Sequence, residues 1–301
     1  MMILSPLPII VLCSGLAACL PSEHSHESRA VSKRRPVSFQ QRNLNTITAI
    51  YQRNVYPTSL EFIVNGSSSV PKGLFNANVS GRITPIGNFT GFQDSVEYFF
   101  ALAPIPQPPL YYGFSKIQIV EFSSQCPGVA ASVVYITESV INPGAANDGQ
   151  KVTTLKQIAF WEFNDNGEVI KYDAWIPNLQ LFYQVANPPA TNQAVIKAVC
   201  STVQAECTGK NTQYTSVQNC VDVLSAKPFG NWDEVWMDSV VCRELHLLLA
   251  RVDPVVHCPH VGPTGGGKCI NEPYEDGYFL SDEALFGKPP GQNFVCGKKY
   301  Q

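Results

Sequence analysis

The stretch that decides the fold is Leu155–Phe163 (LKQIAFWEF), Asn164-Asp165-Asn166-Gly167, then Glu168–Pro177 (EVIKYDAWIP). Both flanks are rich in aromatic and β-branched residues that alternate with polar ones, as half-buried strands require. Asn-Gly between them is a strong hairpin signal, because both residues tolerate positive φ. Two earlier runs share the period of two: Phe114–Phe122 (FSKIQIVEF) and Ala130–Val140 (AASVVYITESV). Four such strands in succession predict an antiparallel meander.

Ahead of the meander the period changes. Leu44, Ile47, Tyr51 and Val55 recur at three- and four-residue steps and predict a helix stopped by Pro57. A second helix is predicted over Gln93–Ala103, capped by Asp94 or Ser95 and buried through Val96, Tyr98, Phe99, Phe100 and Leu102. Pro104, Pro106, Pro108 and Pro109 then force an extended connection. Helices followed by a curved sheet make an α+β cone.

Phe75–Pro104 (FNANVSGRITPIGNFTGFQDSVEYFFALAP) and Phe160–Leu179 (FWEFNDNGEVIKYDAWIPNL) together resemble the nuclear-transport-factor-2-like, or SnoaL-like, superfamily. The shared features are a Gly-rich approach, a third helix, and a hairpin of the type F-x-x-x-G-x-I-x-x-Y/W-D. The resemblance covers about 38–185. The whole arrangement is similar to secreted fungal proteins with a Cys-rich C-terminal region. It implies a pocket inside the cone, with Asp, His or Tyr available for acid–base work in the superfamily's enzymes. It also implies pairing through open sheets, so a homodimer is expected on resemblance alone. Cyclases, isomerases, dehydratases and binding modules share the fold, so fold does not choose among them.

No histidine lies between 27 and 245, which excludes a histidine base supplied by the cone's own segment. Asp173 and Tyr172 are the candidate catalytic residues, on opposite strand faces. Asp173 could be a general base if buried, or a carboxylate hydrogen-bonded at a strand edge. The aromatics suit a small apolar ligand, and they equally suit a filled core.

The compartment is written in the N-terminus and the cysteines. Ile3–Cys19 is apolar, ends in small residues and is followed by a polar stretch, the order of a signal peptide over 1–19. Cleavage after Ala17 or after Cys19 fits, and Leu16–Cys19 also resembles a lipoprotein box. Residues 20–37 form a linker or a pro-segment cut at Lys33-Arg34-Arg35. Asn65, Asn78 and Asn88 head glycosylation sequons. A secreted, extracellular chain is expected.

The cone is predicted to end near 190, before a Cys-rich helical region over 191–301. Helices are predicted over Ala194–Glu206, Tyr214–Leu224 and Asn231–Arg251, the last capped by Asn231. Cleavage after Ala17 leaves nine cysteines and cleavage after Cys19 leaves eight, an even number that favours the second: Cys126 in the cone, and Cys200, Cys207, Cys220, Cys242, Cys258, Cys269 and Cys296 in the tail. Seven cannot pair among themselves, so full oxidation requires Cys126 to bond a tail cysteine. Cys200 and Cys207 lie about 10 Å apart along a helix and cannot pair with each other. The other partners stay open among 105 possible pairings.

His246, His257 and His260 can bind a metal, or they can cap helix ends. Gly262…Gly267-Lys268 matches G-x-x-x-x-G-K, but Cys269 stands where a magnesium-binding Ser or Thr belongs and no strand precedes it. No cofactor is therefore assigned. A net charge of −3 argues against nucleic acid as partner, and no later apolar run reaches the roughly 18 residues of a membrane span. With 45% hydrophobic and 15% charged residues the chain can build a real core. The leading expectation is a secreted, glycosylated, disulfide-stabilised protein that binds a small apolar ligand or a partner through the cone. The alternatives are a cyclase or isomerase acting on a polyketide- or terpene-like substrate, as the resemblance implies, and a metal-dependent activity at His246, His257 and His260; the sequence does not decide whether the chain catalyses anything.

Overall fold

The computed structural model describes residues 37–187, 190–278 and 282–297. Residues 1–36, which hold the expected signal peptide and Lys33-Arg34-Arg35, lie outside the described residues, as do Pro188 and Pro189.

The chain opens with α1 (Phe39–Gln52), capped by Ser38 Oγ, which accepts from the Gln41 amide at 3.2 Å. Its stripe buries Ile47, Ile50 and Tyr51. A short α2 (Ser59–Asn65) follows. Then come β1 (Phe75–Thr84), β2 (Gly87–Thr90) and α3 (Phe92–Phe100). The third helix ends three residues before the predicted boundary, just ahead of the proline run. Its cap residue is Gly91, with no side-chain cap. Asp94 instead accepts from the Thr90 amide at 3.1 Å.

The meander is β3 (Tyr112–Cys126), β4 (Val129–Val140), β5 (Lys151–Phe163) and β6 (Val169–Trp175), each pair antiparallel. At the β5–β6 turn only Gly167 has positive φ (86°), and its amide bonds the Asn164 carbonyl. The turn is thus a longer loop than a two-residue hairpin, with one residue in the left-handed region.

Sequence patterning misses β1 and β2. β1 lies parallel to β6, giving the order β2-β1-β6-β5-β4-β3. The close fit at this seam explains Gly81: its position faces the Tyr172 ring, leaving no room for a Cβ. The curved sheet packs its inner face on α1 and α3. Trp161 is fully buried there and donates from Nε1 to Ser132 Oγ at 2.9 Å.

After the sheet comes α4 (Leu179–Ala186), and the tail then contains α5 (Asn192–Glu206), α6 (Val217–Ser225), α7 (Val240–Ala250), α8 (Pro254–Val261), α9 (Tyr274–Tyr278) and α10 (Asp282–Phe286). The single helix expected over Asn231–Arg251 is shorter: α7 begins only at Val240, capped by Ser239. Asn231 makes a local turn instead, its Oδ1 accepting from the Asp233 amide. The non-helical lead-in places Trp232 and Val235 in the same buried cluster as Phe99 and Ile83, with Leu245 of α7 beside them. The tail therefore completes the cone's core.

A second apolar cluster surrounds the tail's sulfurs. Cys200 pairs with Cys220, Cys207 with Cys258, and Cys242 with Cys269. Cys126 pairs with Cys296 across 170 residues of sequence, with Cα atoms 5.8 Å apart. This is the crossing bond that a full set of eight oxidised cysteines requires.

Candidate functional site

Alternation on β4 turns Val134, Ile136 and Glu138 toward the cone interior. On β5 the same rule turns Leu155 and Gln157 inward. Ile136, Leu155 and Gln157, with Ile83, Tyr98, Phe99 and Ile176, line a mostly apolar cavity of about 90 Å³, to which the tail adds Trp232 and Leu245. A neighbouring cleft of about 300 Å³ shares Leu102, Phe182, Tyr183 and Trp232 with that cavity. The cleft alone reaches the lower end of the roughly 300–1,000 Å³ usual for small-molecule sites. Tyr183 and Trp232 stack face to face, ring centres 3.5 Å apart, and form the wall common to both.

Three of the cleft's lining residues are acidic or basic: Glu138 of β4, Glu244 of α7, and Arg251 just after α7. Glu138 sits where the β4–β5 ladder shifts register, a position from which a bulge re-aims a side chain. It is 3% exposed, and its Oε2 is buried without a hydrogen-bond partner. Burial pushes its carboxyl up to about 7. Burial does the same to Glu244, also to about 7. Both charges act on Tyr183, whose hydroxyl is pushed up chiefly by burial. One acid comes from the cone and the other from the tail. The sequence offers Glu138 only as one of several further acids in ordered segments, with Glu121, Glu162 and Asp94, and does not single out Glu244; the available signal was Glu138 falling in register with the apolar positions of its strand.

Asp173 and Tyr172 are placed elsewhere. Tyr172 is fully buried in the core, packed edge-on to Phe99. Burial raises its hydroxyl far from physiological pH. Asp173 lies on the opposite face of β6. There Arg82 of β1 grips it in two bonds, Nε to Oδ1 at 3.1 Å and Nη2 to Oδ2 at 2.7 Å. Asp282 of α10 also pairs with Arg82, at 3.3 Å. Burial raises the Asp173 carboxyl and Arg82 partly reverses this. Neither Tyr172 nor Asp173 lines the cavity or the cleft.

The three tail histidines do come together. His246 is on α7; His257 and His260 are one turn apart on α8. One nitrogen from each lies within 4.8 Å of the others, and all three residues are buried. The tail folds them against α3, so the absence of histidine from the cone's own segment does not keep histidine from the cone. His257 Nε2 is 2.9 Å from Glu97 Oε2, and His246 Nδ1 is 3.4 Å from Tyr98 Oη. Burial, then the neighbouring rings, hold His246 well below the usual histidine range and His260 at about 4.

Of the sequon residues, Asn65 and Asn78 are exposed, whereas Asn88 is half-buried with its Oδ1 enclosed. Gly265–Gly267 forms a short 3₁₀ turn leading into the Cys242–Cys269 bond.

Over residues 38–185 the curved sheet, with helices on its inner face, matches what the resemblance implied. Residues 176–272 match the family model described as the BfoA family C-terminal domain. The chain is 28% identical over 241 residues to bifonsecin B biosynthesis cluster protein A of Aspergillus brasiliensis, covering 75% of this chain and 78% of that one. It is equally similar to aurasperone B biosynthesis cluster protein A of Aspergillus niger, covering 75% and 76%. Among solved structures, a Jannaschia sp. CCS1 protein assigned by name to the SnoaL-like polyketide cyclases is 11% identical. It covers 52% of this chain and 99% of its own, with a TM-score of 0.34. A phenazine biosynthesis-related protein of Pseudomonas aeruginosa is 12% identical, covers 51% and 90%, and has a TM-score of 0.31.

Proposed function

We propose that the chain takes a small, planar, polyketide-like molecule into the cone and moves protons on it, as a cyclase or isomerase does. The observation that carries this is the pair Glu138 and Glu244 at an aromatic-walled cleft, one from each region, both held near 7. A general acid–base pair works best with pKa values near the working pH. At neutral pH each site is partly protonated. One carboxylate can remove a proton beside a carbonyl while the other carboxyl donates a proton to the carbonyl oxygen. The enol that forms is uncharged, and the two acids exchange states. The relatives, named as biosynthesis cluster proteins, support a place in small-molecule synthesis.

A second reading is a binding protein without catalysis, favoured by the small, apolar inner cavity. One experiment separates the two. The chain is titrated with 2-acetyl-1-naphthol, following tryptophan fluorescence, and exchange of the acetyl protons into deuterated water is followed by NMR. The proton-transfer reading expects binding and accelerated exchange. Glu138→Gln and Glu244→Gln should slow exchange about 100-fold or more while leaving binding within roughly threefold. Binding without exchange supports the second reading, and no binding defeats both.

We also propose that the chain is secreted and glycosylated at Asn65 and Asn78. Four disulfides and two exposed sequons support an oxidising route. Mass spectrometry of protein from culture medium should show a mature start after Ala17 or Cys19, or after Arg35, and hexose mass on both asparagines. An intact Met1 on an unmodified chain would contradict it.

A further inference from the structure

The second cluster of ionisable groups is independent of the carboxylate cleft. His246, His257 and His260 converge in a buried site between α3, α7 and α8. A hydrogen-bonded cluster of imidazoles is the ordinary explanation for such a group, and it leaves one atom unexplained. The Glu97 carboxylate engages His257 Nε2, 2.9 Å away, which leaves Nδ1 as the nitrogen of that ring free of Glu97. That atom is buried and has no hydrogen-bond partner, in a residue 1% exposed. An orphaned polar nitrogen is costly to bury.

The other two rings present nitrogens to each other. His246 Nδ1 and His260 Nδ1 are 3.3 Å apart. Two imidazole nitrogens bound tetrahedrally at about 2.0–2.1 Å from one zinc ion stand about 3.3 Å apart. Glu97 behind His257 is the outer carboxylate that commonly orients a metal-binding imidazole. A fourth side is occupied by Tyr98 Oη, 3.4 Å from His246 Nδ1. Cys242 and Cys269 are near His246 but are joined in a disulfide, so they offer no thiolate. The available donor set is three imidazoles, which suits zinc-like divalent ions rather than calcium or magnesium.

We propose that His246, His257 and His260 bind one divalent zinc-class ion, with Glu97 positioning His257. The arrangement also ties the tail to the cone: the ligands sit on α7 and α8, and the positioning carboxylate on α3.

The test uses the full disulfide-intact chain, stripped with chelator and dialysed against Zn²⁺, with Co²⁺ as a visible spectroscopic probe. The expected result is one Zn²⁺ per chain and a tetrahedral Co²⁺ absorption band. His260→Gln, at the most exposed of the three histidines, should weaken Zn²⁺ binding about 100-fold while near-ultraviolet circular dichroism stays unchanged. Glu97→Gln should weaken it about 10–100-fold. His24→Ala/His26→Ala should not change it. The proposal is overturned if the parent chain binds no stoichiometric Zn²⁺. It is overturned equally if binding survives His260→Gln undiminished, or is lost in His24→Ala/His26→Ala. The parent chain alone can fail the test, so its outcome does not depend on any variant folding.

Discussion

The cone and its tail are held together by different means. The cone, 38–185, relies on a continuous apolar core around Trp161, Phe99 and Phe100, and carries a single cysteine. The tail is helical and has a smaller apolar cluster, with three disulfides inside it and a fourth reaching Cys126. A small core that cannot bury enough apolar surface is commonly supplemented by covalent links. Stability is therefore stored in packing on one side and in sulfur on the other, and each region can be challenged separately.

The largest effect is expected in the cone. Trp161→Ala empties a fully buried position and orphans the Ser132 hydroxyl, so it should cost about 3–5 kcal/mol. Denaturant unfolding measures it, and a loss under about 1 kcal/mol would show that the core is not what holds the cone. In the tail, Cys242→Ala/Cys269→Ala should cost about 2–4 kcal/mol. If the contrast between regions is right, mild reduction should loosen hydrogen-exchange protection in α5–α8 well before β3–β6. Simultaneous loss in both regions would contradict it.

A similar cost is expected on the outer sheet face. Arg82→Ala should cost about 3 kcal/mol, because Asp173 is left buried without its partner. Replacing both, Arg82→Met/Asp173→Leu, should restore most of the loss. That outcome marks the pair as structural, whereas loss of activity without loss of stability would restore Asp173 as a functional residue.

The smallest effect has a definite sign. Glu138 is raised from 4.5 to about 7 by burial. Between those pH values the folded chain keeps a proton that the unfolded chain has released. Its contribution to stability is therefore full below about pH 4.5, falls as pH rises toward 7, and is flat above. Glu138→Gln should be more thermostable than the parent at pH 8, by a few degrees, and equal to it near pH 4. Scanning fluorimetry across that range measures the difference. A variant that is less stable at pH 8 would mean the carboxylate has a partner the geometry does not show.

The same contrast governs what can be read without coordinates. The meander is legible because alternation reports one wet and one dry face, as at Leu155–Phe163. β1 is not, since Asn76-Ala77-Asn78 puts polar and exposed residues in its first half, and a ladder shift follows Phe75. Parity alone requires Cys126 to reach the tail, but it cannot name Cys296. Asp173 has the right chemistry on the wrong face: alternation separates it from Tyr172 but does not say which face holds the cavity. Glu138 and Glu244 lie 106 positions apart and line one cleft only because the lead-in to α7 carries Trp232 into the cone. No local pattern encodes that approach. The three histidines were visible as a group, whereas Glu97 behind them required the fold.

The most direct test is the titration of the two carboxyls that the regions bring to one cleft. NMR of chain labelled with ¹³C at the glutamate carboxyl, with Glu138→Gln and Glu244→Gln used to assign the signals, should show both groups titrating with midpoints near 7. Midpoints for both near the ordinary 4.5 would mean that tail and cone do not enclose a common acid–base site, and the proposed chemistry would fall with them.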